Sequence, residues 1–308
     1  MSEAVPAPGA NPYTAGAAFV DGDYLPVGEA RLPLQDWGFI RSDVTYDVVA
    51  VWHGRFFRLE DHLDRFFRGI DKLRMQCPYD RAEVTEILKR CVRLAGLSEA
   101  YVEMILTRGL PPAGSRDPRQ CQNRFYAFAV PYIWIATPEK QEQGLNLVVS
   151  SVPRIAPESV DPTVKNFHWG DMVQALFEAY DRGGETAVLS DGAGNVTEGP
   201  GFNLFAWRDG RLITPARGVL MGITRKTVLE LAERLNAKVE VGSLSEAELR
   251  RADEIFLSST AGGVMPVTRL DGEPVGDGTP GPFTRRIREL YWQAHDDPAW
   301  TTPVGEDD

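Results

Sequence analysis

The chain has 308 residues, 43% of them hydrophobic and 25% charged, with a formal net charge of -11 at pH 7. That composition fits a globular protein with room for one large or two ordinary domains, and its acidic balance argues against nucleic acid or an anionic membrane as the main partner. Cys77, Cys91 and Cys121 are odd in number and lack metal-ligand spacing, so neither a disulfide framework nor a metal site is expected.

The opening MSEAVPAPGANPYTAG has no basic segment followed by an apolar one, so no signal peptide is expected. No apolar run approaches the roughly 18 residues of a membrane span, which points to the cytoplasm. Residues 1–16 read as a flexible tail. Residues 17–137 read as a small α+β domain. It begins with a hairpin over Ala17–Val27 turning at Asp21-Gly22. Strands follow at Val44–Trp52 and Arg55–Leu59, then helices at Glu60–Leu73 and Arg81–Ala95. Ala100–Arg108 and Arg124–Trp134 read as strands around a long Gly/Pro/Arg loop, Gly109–Asn123, of the kind that often serves as a lid.

Residues 138–144 read as a linker and 145–300 as a larger α/β domain. Its strands are expected at Leu145–Val152, Ala187–Ser190, Ala237–Val241 and Glu254–Ser258, with a hairpin at Asn203–Ile213. Helices are expected after Asp171, at Thr224–Leu235, around Ser245–Arg251 and at Gly281–His295. Residues 301–308 read as an acidic, frayed tail.

Lys165 lies in VKNFHWGD, where Val164, Phe167 and Trp169 imply a buried backbone. An apolar setting favours the neutral amine that forms a Schiff base; an exposed lysine is the plain alternative. Glu198, in NVTEGPGFN, is either a turn residue or a carboxylate for a ring nitrogen. Gly222-Ile223-Thr224 opens a helix whose free N–H groups suit a phosphate, or is simply capped by Thr224. Ser259-Thr260-Ala261-Gly262-Gly263 could add hydroxyls and amides to the same phosphate, and Arg65 a charged hydrogen bond. An amine, a carboxylate and two phosphate-binding turns in this order are the parts that hold pyridoxal phosphate. Arg41 and Arg116 are candidates for a substrate carboxylate or are surface residues, and Asp36, Asp43 and Asp47 are read as structural.

These residues resemble the fold-type IV (class IV) pyridoxal-phosphate-dependent aminotransferases. The resemblance runs from about Phe19 to His295 through WGF (37–39), RLEDHLDR (58–65), TEG (197–199), GITR (222–225), ADEIF (252–256) and Gly281-Pro282. It implies Lys165 as Schiff-base lysine and proton carrier, and Glu198 as ring-nitrogen partner. Arg65, Ile223, Thr224, Ser259 and Thr260 would complete the cofactor site. It also implies two α/β domains with the site between them, in a homodimer whose partner subunit closes the pocket.

Within that family SDVTYDV (42–48) and Tyr101-Val102-Glu103 are most similar to the (R)-selective amine:pyruvate transaminases. Branched-chain enzymes usually show Phe-Glu-Gly at 46–48 and Tyr-x-Arg at 101–103. Arg116 matches a loop arginine that receives the keto acid's carboxylate, and Tyr46, Val48, Tyr101, Glu103, Trp169 and Ala261 are expected around the substrate. Arg41 departs from the pattern, standing where His is expected in amine transaminases and Tyr in branched-chain enzymes. The expected activity is transfer of an amino group from a primary, (R)-configured amine to a keto acid such as pyruvate. The alternatives are a D-amino acid or branched-chain aminotransferase, or aminodeoxychorismate lyase.

Overall fold

A computed structural model describes residues 11–305, and all counts and absences are of these residues; of the expected tails at 1–16 and 301–308, residues 1–10 and 306–308 lie outside them. The chain divides into two compact units. The first holds the chain up to Ile133 together with Lys165–Phe167 and the residues from Pro298 on; the second holds Trp134–Val164 and His168–Asp297.

The first unit begins with the hairpin β1 (Ala17–Val20) and β2 (Asp23–Pro26). Asp21 and Gly22 both take positive φ, 54° and 95°, the mirror-image turn that matches strand twist. The short helix α1 (Trp37–Arg41) is capped by Asp36, whose Oδ1 accepts the Gly38 N–H at 2.8 Å. Then come β3 (Val44–Trp52), β4 (Arg55–Phe57), α2 (Leu59–Lys72) and α3 (Arg81–Ala95). In α2, Leu63, Phe66 and Ile70 recur at helical spacing and are buried. In α3, Asp80 and Glu83 form a reciprocal capping box. Strands β5 (Ala100–Leu110) and β6 (Gln122–Pro131) complete an antiparallel sheet. Its order is Thr301–Pro303, β4, β3, β5, β6, β1, β2. The two longer helices cover one side of it over Val49, Val51, Val102, Met104 and Leu106.

The second unit opens with α4 (Pro138–Gln143), β7 (Leu145–Pro153), α5 (Gly170–Asp181) and β8 (Thr186–Ser190). It continues with β9 (Glu198–Gly199), β10 (Phe202–Arg208), β11 (Arg211–Pro215) and α6 (Ile223–Arg234). It ends with β12 (Lys238–Gly242), α7 (Glu246–Leu249), β13 (Glu254–Ser259), β14 (Gly263–Leu270) and α8 (Pro282–Gln293). The main sheet order is β12, β11, β10, β13, β14, β7, β8. Pairing is parallel for β11–β12, β14–β7 and β7–β8 and antiparallel along the rest of that path. No helix is long and apolar enough to cross a membrane.

Four expectations are corrected. Residues 138–144 are not a bare linker: Thr137 caps a helix there, and the buried Gln141 amide donates to the carbonyls of Ala136 and Gly262 at 2.9 and 3.0 Å. Residues 301–303 are a strand rather than a tail, paired with β4, and Val304 is buried beyond them. The strand β14 was not expected. The loop 109–123 is shorter, because β5 and β6 pair out to Leu110 and Gln122. Gly109 (φ 75°) permits this, since a Cβ there would stand 1.8 Å from the Gln122 carbonyl oxygen.

Helix α8 starts at Gly281 without a side-chain cap of its own. The buried Glu254 substitutes, accepting the N–H groups of Phe283 and Thr284 at 3.0 and 2.7 Å and the Thr284 hydroxyl at 2.7 Å. Replacing Glu254 by Ala should destabilise the protein by about 2 kcal/mol, the combined scale of a lost cap and unpaired buried donors. A urea midpoint unchanged from wild type would contradict this role.

Candidate active site

In the first unit the pleat of β3 sends Tyr46 and Val48 to the sheet face opposite α2. Register pairs Val48 with Glu103 and Ala50 with Tyr101, which brings Tyr101 and Glu103 to the same face. The Tyr101 hydroxyl donates to Glu103 Oε2 at 3.2 Å. Lys165 is joined to this face through its backbone: its carbonyl accepts the Tyr46 N–H at 3.1 Å and the Thr45 hydroxyl at 3.0 Å. Its Nζ lies 4.5 Å from the centroid of the Tyr46 ring, and Phe167 packs on the same ring at 4.6 Å. Burial pushes the Glu103 carboxyl up to about 7. The Lys165 charge and the Tyr101 hydrogen bond pull against that rise, and the Asp47 charge adds to it. Burial, then the Glu103 charge, raises the Tyr101 phenol.

Arg65 does not join this face. It is buried on α2, and its Nε and Nη2 grip Asp47 at 2.7 Å each from the helix side of β3. His62 Nδ1 stands 2.8 Å from Asp47 Oδ1. Burial alone would raise the Asp47 carboxyl, but the Arg65 charge and the hydrogen bonds from Arg65 and His62 hold it well below the usual carboxylate range. Burial lowers the His62 imidazole against the pull of Asp47. Arg41 is exposed, with its guanidinium stacked 3.7 Å from the Trp37 ring centroid. Arg116 is exposed on the segment between β5 and β6 and makes no hydrogen bond or ion pair among the described residues.

In the second unit Glu198 is 4% exposed. Its Oε2 accepts the Leu220 N–H at 2.7 Å, with Asn203 Nδ2 at 3.5 Å, and its Oε1 faces the Arg154 guanidinium at 3.4 Å. Asn203 also donates to the Leu220 carbonyl at 2.9 Å, which fixes the chain leading into α6. That helix begins at Gly222 with no side-chain cap, contrary to capping by Thr224. Ile223, Thr224 and Arg225 in its first turn are all buried. A side chain at 222 would collide with Asn203 Oδ1, 2.1 Å from an ideal Cβ, so glycine lets the turn close on Asn203. The Thr224 hydroxyl lies 3.5 Å from that of Tyr291.

The turn after β13 is held by Ser259, whose hydroxyl donates to the Gly201 carbonyl at 2.7 Å and accepts the Ala261 N–H at 3.2 Å. With its one proton spent on Gly201, Ser259 shapes the turn rather than donating to a phosphate. The Ala261 carbonyl accepts the Ile135 N–H at 2.8 Å, and Trp169 lies beside Gly201. Arg154, Asp171 and Arg225 were missed as site residues. Arg225 stood inside a quoted motif, whereas Arg154 carries no local signal, because its partners lie at 171 and 198.

Each unit by itself carries donors of a kind that suit part of a pyridine ring bearing a phosphate. The second unit presents a buried carboxylate and an uncapped helix end, and the first an amine beside aromatic rings. Glu103 also gives a pH signature. Its pKa rises from 4.5 to about 7 on folding. Its contribution to stability is therefore full below pH 4.5 and lost as pH rises through 7. Glu103→Gln should gain thermal stability relative to wild type as pH rises over that window. A pH-independent difference between the two melting temperatures would count against the buried carboxyl.

Residues 45–270 match the family model for amino-transferase class IV. The chain is 32% identical over 240 residues to the branched-chain-amino-acid aminotransferase of Pseudomonas aeruginosa, covering 77% of each chain. It is 27% identical over 276 residues to the D-alanine aminotransferase of Staphylococcus haemolyticus, covering 89% of this chain and 95% of that one. Among solved structures it is similar to the branched-chain amino acid aminotransferase of Thermobaculum terrenum in its pyridoxal-phosphate form, with a TM-score of 0.84 and 26% identity, covering 95% of this chain and 99% of that one. The Escherichia coli branched-chain amino acid aminotransferase gives a TM-score of 0.84 and 26% identity, with 95% and 100% covered. The chain belongs to the class IV aminotransferases, α/β enzymes of fold type IV that work with pyridoxal phosphate.

Proposed function

We propose that this aminotransferase takes its amino group from a primary amine of (R) configuration and delivers it to a keto acid such as pyruvate. The observation that carries the reading is the face formed by Tyr46, Val48, Tyr101 and Glu103. It offers aromatic and aliphatic surface and a buried carboxyl; β3 and β5 place no arginine on it, and the arginines that β4 and β6 bring to the same sheet face, Arg55 and Arg124, are bound to Thr301 and Asp21. An amine without a carboxylate suits such a face, whereas an amino acid would bring a negative charge toward Glu103. The motif at 42–48 supports the same reading.

Bound pyridoxal phosphate supplies an aldehyde for the amine and a ring that accepts electrons from the substrate carbon. Lys165 Nζ would hold the cofactor between turnovers and carry the proton between substrate carbon and cofactor carbon. Glu198 would hold the proton on the ring nitrogen. The first-turn amides of Ile223 and Thr224, with Thr260, would hold the phosphate. Arg65 would act on that phosphate only as a charge already fixed by Asp47. Arg116 would receive the keto acid's carboxylate, since its exposed guanidinium can turn to an anionic substrate and away from an apolar amine. Exposed Leu34 and Phe39, at 78% and 65%, support the homodimer that the family resemblance implies.

A D-amino acid or branched-chain substrate is favoured by one observation, Arg41. Fixed on Trp37, it is a second cation that could draw a carboxylate. The absorbance of the holoenzyme separates the readings. A shift of the visible band by (R)-1-phenylethylamine and, through reversal of the pyruvate half-reaction, by D-alanine is expected, with none from the (S) enantiomer or L-leucine; a shift with an amino acid and none with the (R)-amine would move the substrate assignment. Lys165→Ala should abolish both turnover and the visible band, and retained activity would refute its role. Arg116→Ala should raise the KM for pyruvate by on the order of tenfold, the scale of a lost charged hydrogen bond, while leaving that of the amine nearly unchanged. Equal effects on both substrates would remove Arg116 from the site.

A further inference from the structure

Arg154 follows β7, and its side chain, only 8% exposed, lies between two carboxylates. Nη1 stands 2.7 Å from Asp171 Oδ2. Nε and Nη2 both stand 3.4 Å from Glu198 Oε1. Asp171 is itself anchored: Oδ2 also accepts the Ile155 N–H at 2.8 Å, and Oδ1 accepts the Met172 N–H at 2.9 Å. One buried cation is thus shared unequally by two anions. Coulomb attraction grows as distance shrinks and as water is excluded, so what Asp171 holds is withheld from Glu198. Arg225, a further buried cation whose charge interacts with Glu198, turns its Nη2 to the Pro215 carbonyl at 3.0 Å and its Nε to the Thr214 hydroxyl at 3.3 Å. Arg154 is therefore the guanidinium aimed at the carboxylate.

We propose that Arg154 is a positioning residue for the cofactor ring, and that the division of its charge between Asp171 and Glu198 sets how firmly Glu198 holds a proton on the ring nitrogen. This rests on the reading of Glu198 as ring-nitrogen partner. The arrangement makes two substitutions act with opposite sign. Without Arg154, Glu198 is a buried carboxylate short of a cation, and its affinity for a proton rises. With Asp171 made neutral, Arg154 is released toward Glu198, and that affinity falls. A purely structural role would have both variants loosen the site in the same direction.

The test titrates the Glu198 carboxyl by carbon-13 NMR in the cofactor-free full-length chain, with the signal assigned by its loss in Glu198→Gln. Arg154→Met should move the titration up by about one pH unit, a tenfold change in proton affinity, and Asp171→Asn should move it down. In the holoenzyme the acid limb of kcat/KM should shift in the same two directions, and Arg154→Lys should restore part of the change. Shifts of one sign in both variants, or no shift in either, would overturn the proposal. If Arg154→Met does not fold, Asp171→Asn and Arg154→Lys give the same comparison, with a downward and a smaller upward shift expected. Full turnover in Glu198→Gln would overturn the underlying reading of Glu198, and it is seen separately because the titration needs no cofactor.

Discussion

A carboxylate withdrawn from water must be met by a cation, by donors or by a proton, and much of this molecule is arranged around that constraint. Asp47 is met by the guanidinium of Arg65 and the imidazole of His62. Glu254 is met by the open end of α8, so that one side chain both ends its own desolvation problem and caps a helix. Glu198 is met by a backbone N–H and a more distant guanidinium. Glu103 has a phenol and the nearby Lys165 charge, and burial pushes its carboxyl up to about 7. The first two are closed structural solutions. The other two are the pair that the proposed reading assigns to the substrate and to the cofactor ring.

The same contrast explains how much could be read from the sequence. Helices α2 and α3 were legible because their apolar residues recur at helical spacing and, in α3, because Asp80 and Glu83 mark the start. The β1–β2 hairpin was legible from its Asp-Gly turn. Strand β14 was not, because Pro266 interrupts it and proline disfavours a strand interior. Pairing with β7 begins only at Val267, so Pro266 costs that side no hydrogen bond. Helix α4 was hidden because Pro138 and a run of polar residues resemble a linker, and the buried Gln141 that ties it down has partners at Ala136 and Gly262.

At the candidate site, Lys165, Glu198 and the α6 entrance announce themselves through local motifs. Their supporting residues do not. Arg154 and Asp171 are ordinary charges in sequence, and only the fold makes them neighbours. Ser259 and Arg65 show the opposite failing. Each belongs to a telling motif, yet Ser259 donates to Gly201 and Arg65 to Asp47.

The strand Thr301–Pro303 has a consequence for the order in which the chain is made and folded. It completes the edge of the first unit's sheet against β4, the Arg58 N–H donates to the Trp300 carbonyl, and Val304 is buried in the first unit's core. A ribosome therefore releases nearly the whole second unit before it supplies the last piece of the first. During synthesis β4 waits with an unpaired edge, and the second unit, whose residues form a single run apart from Lys165–Phe167, can close ahead of it. The unit translated first is the one that finishes last.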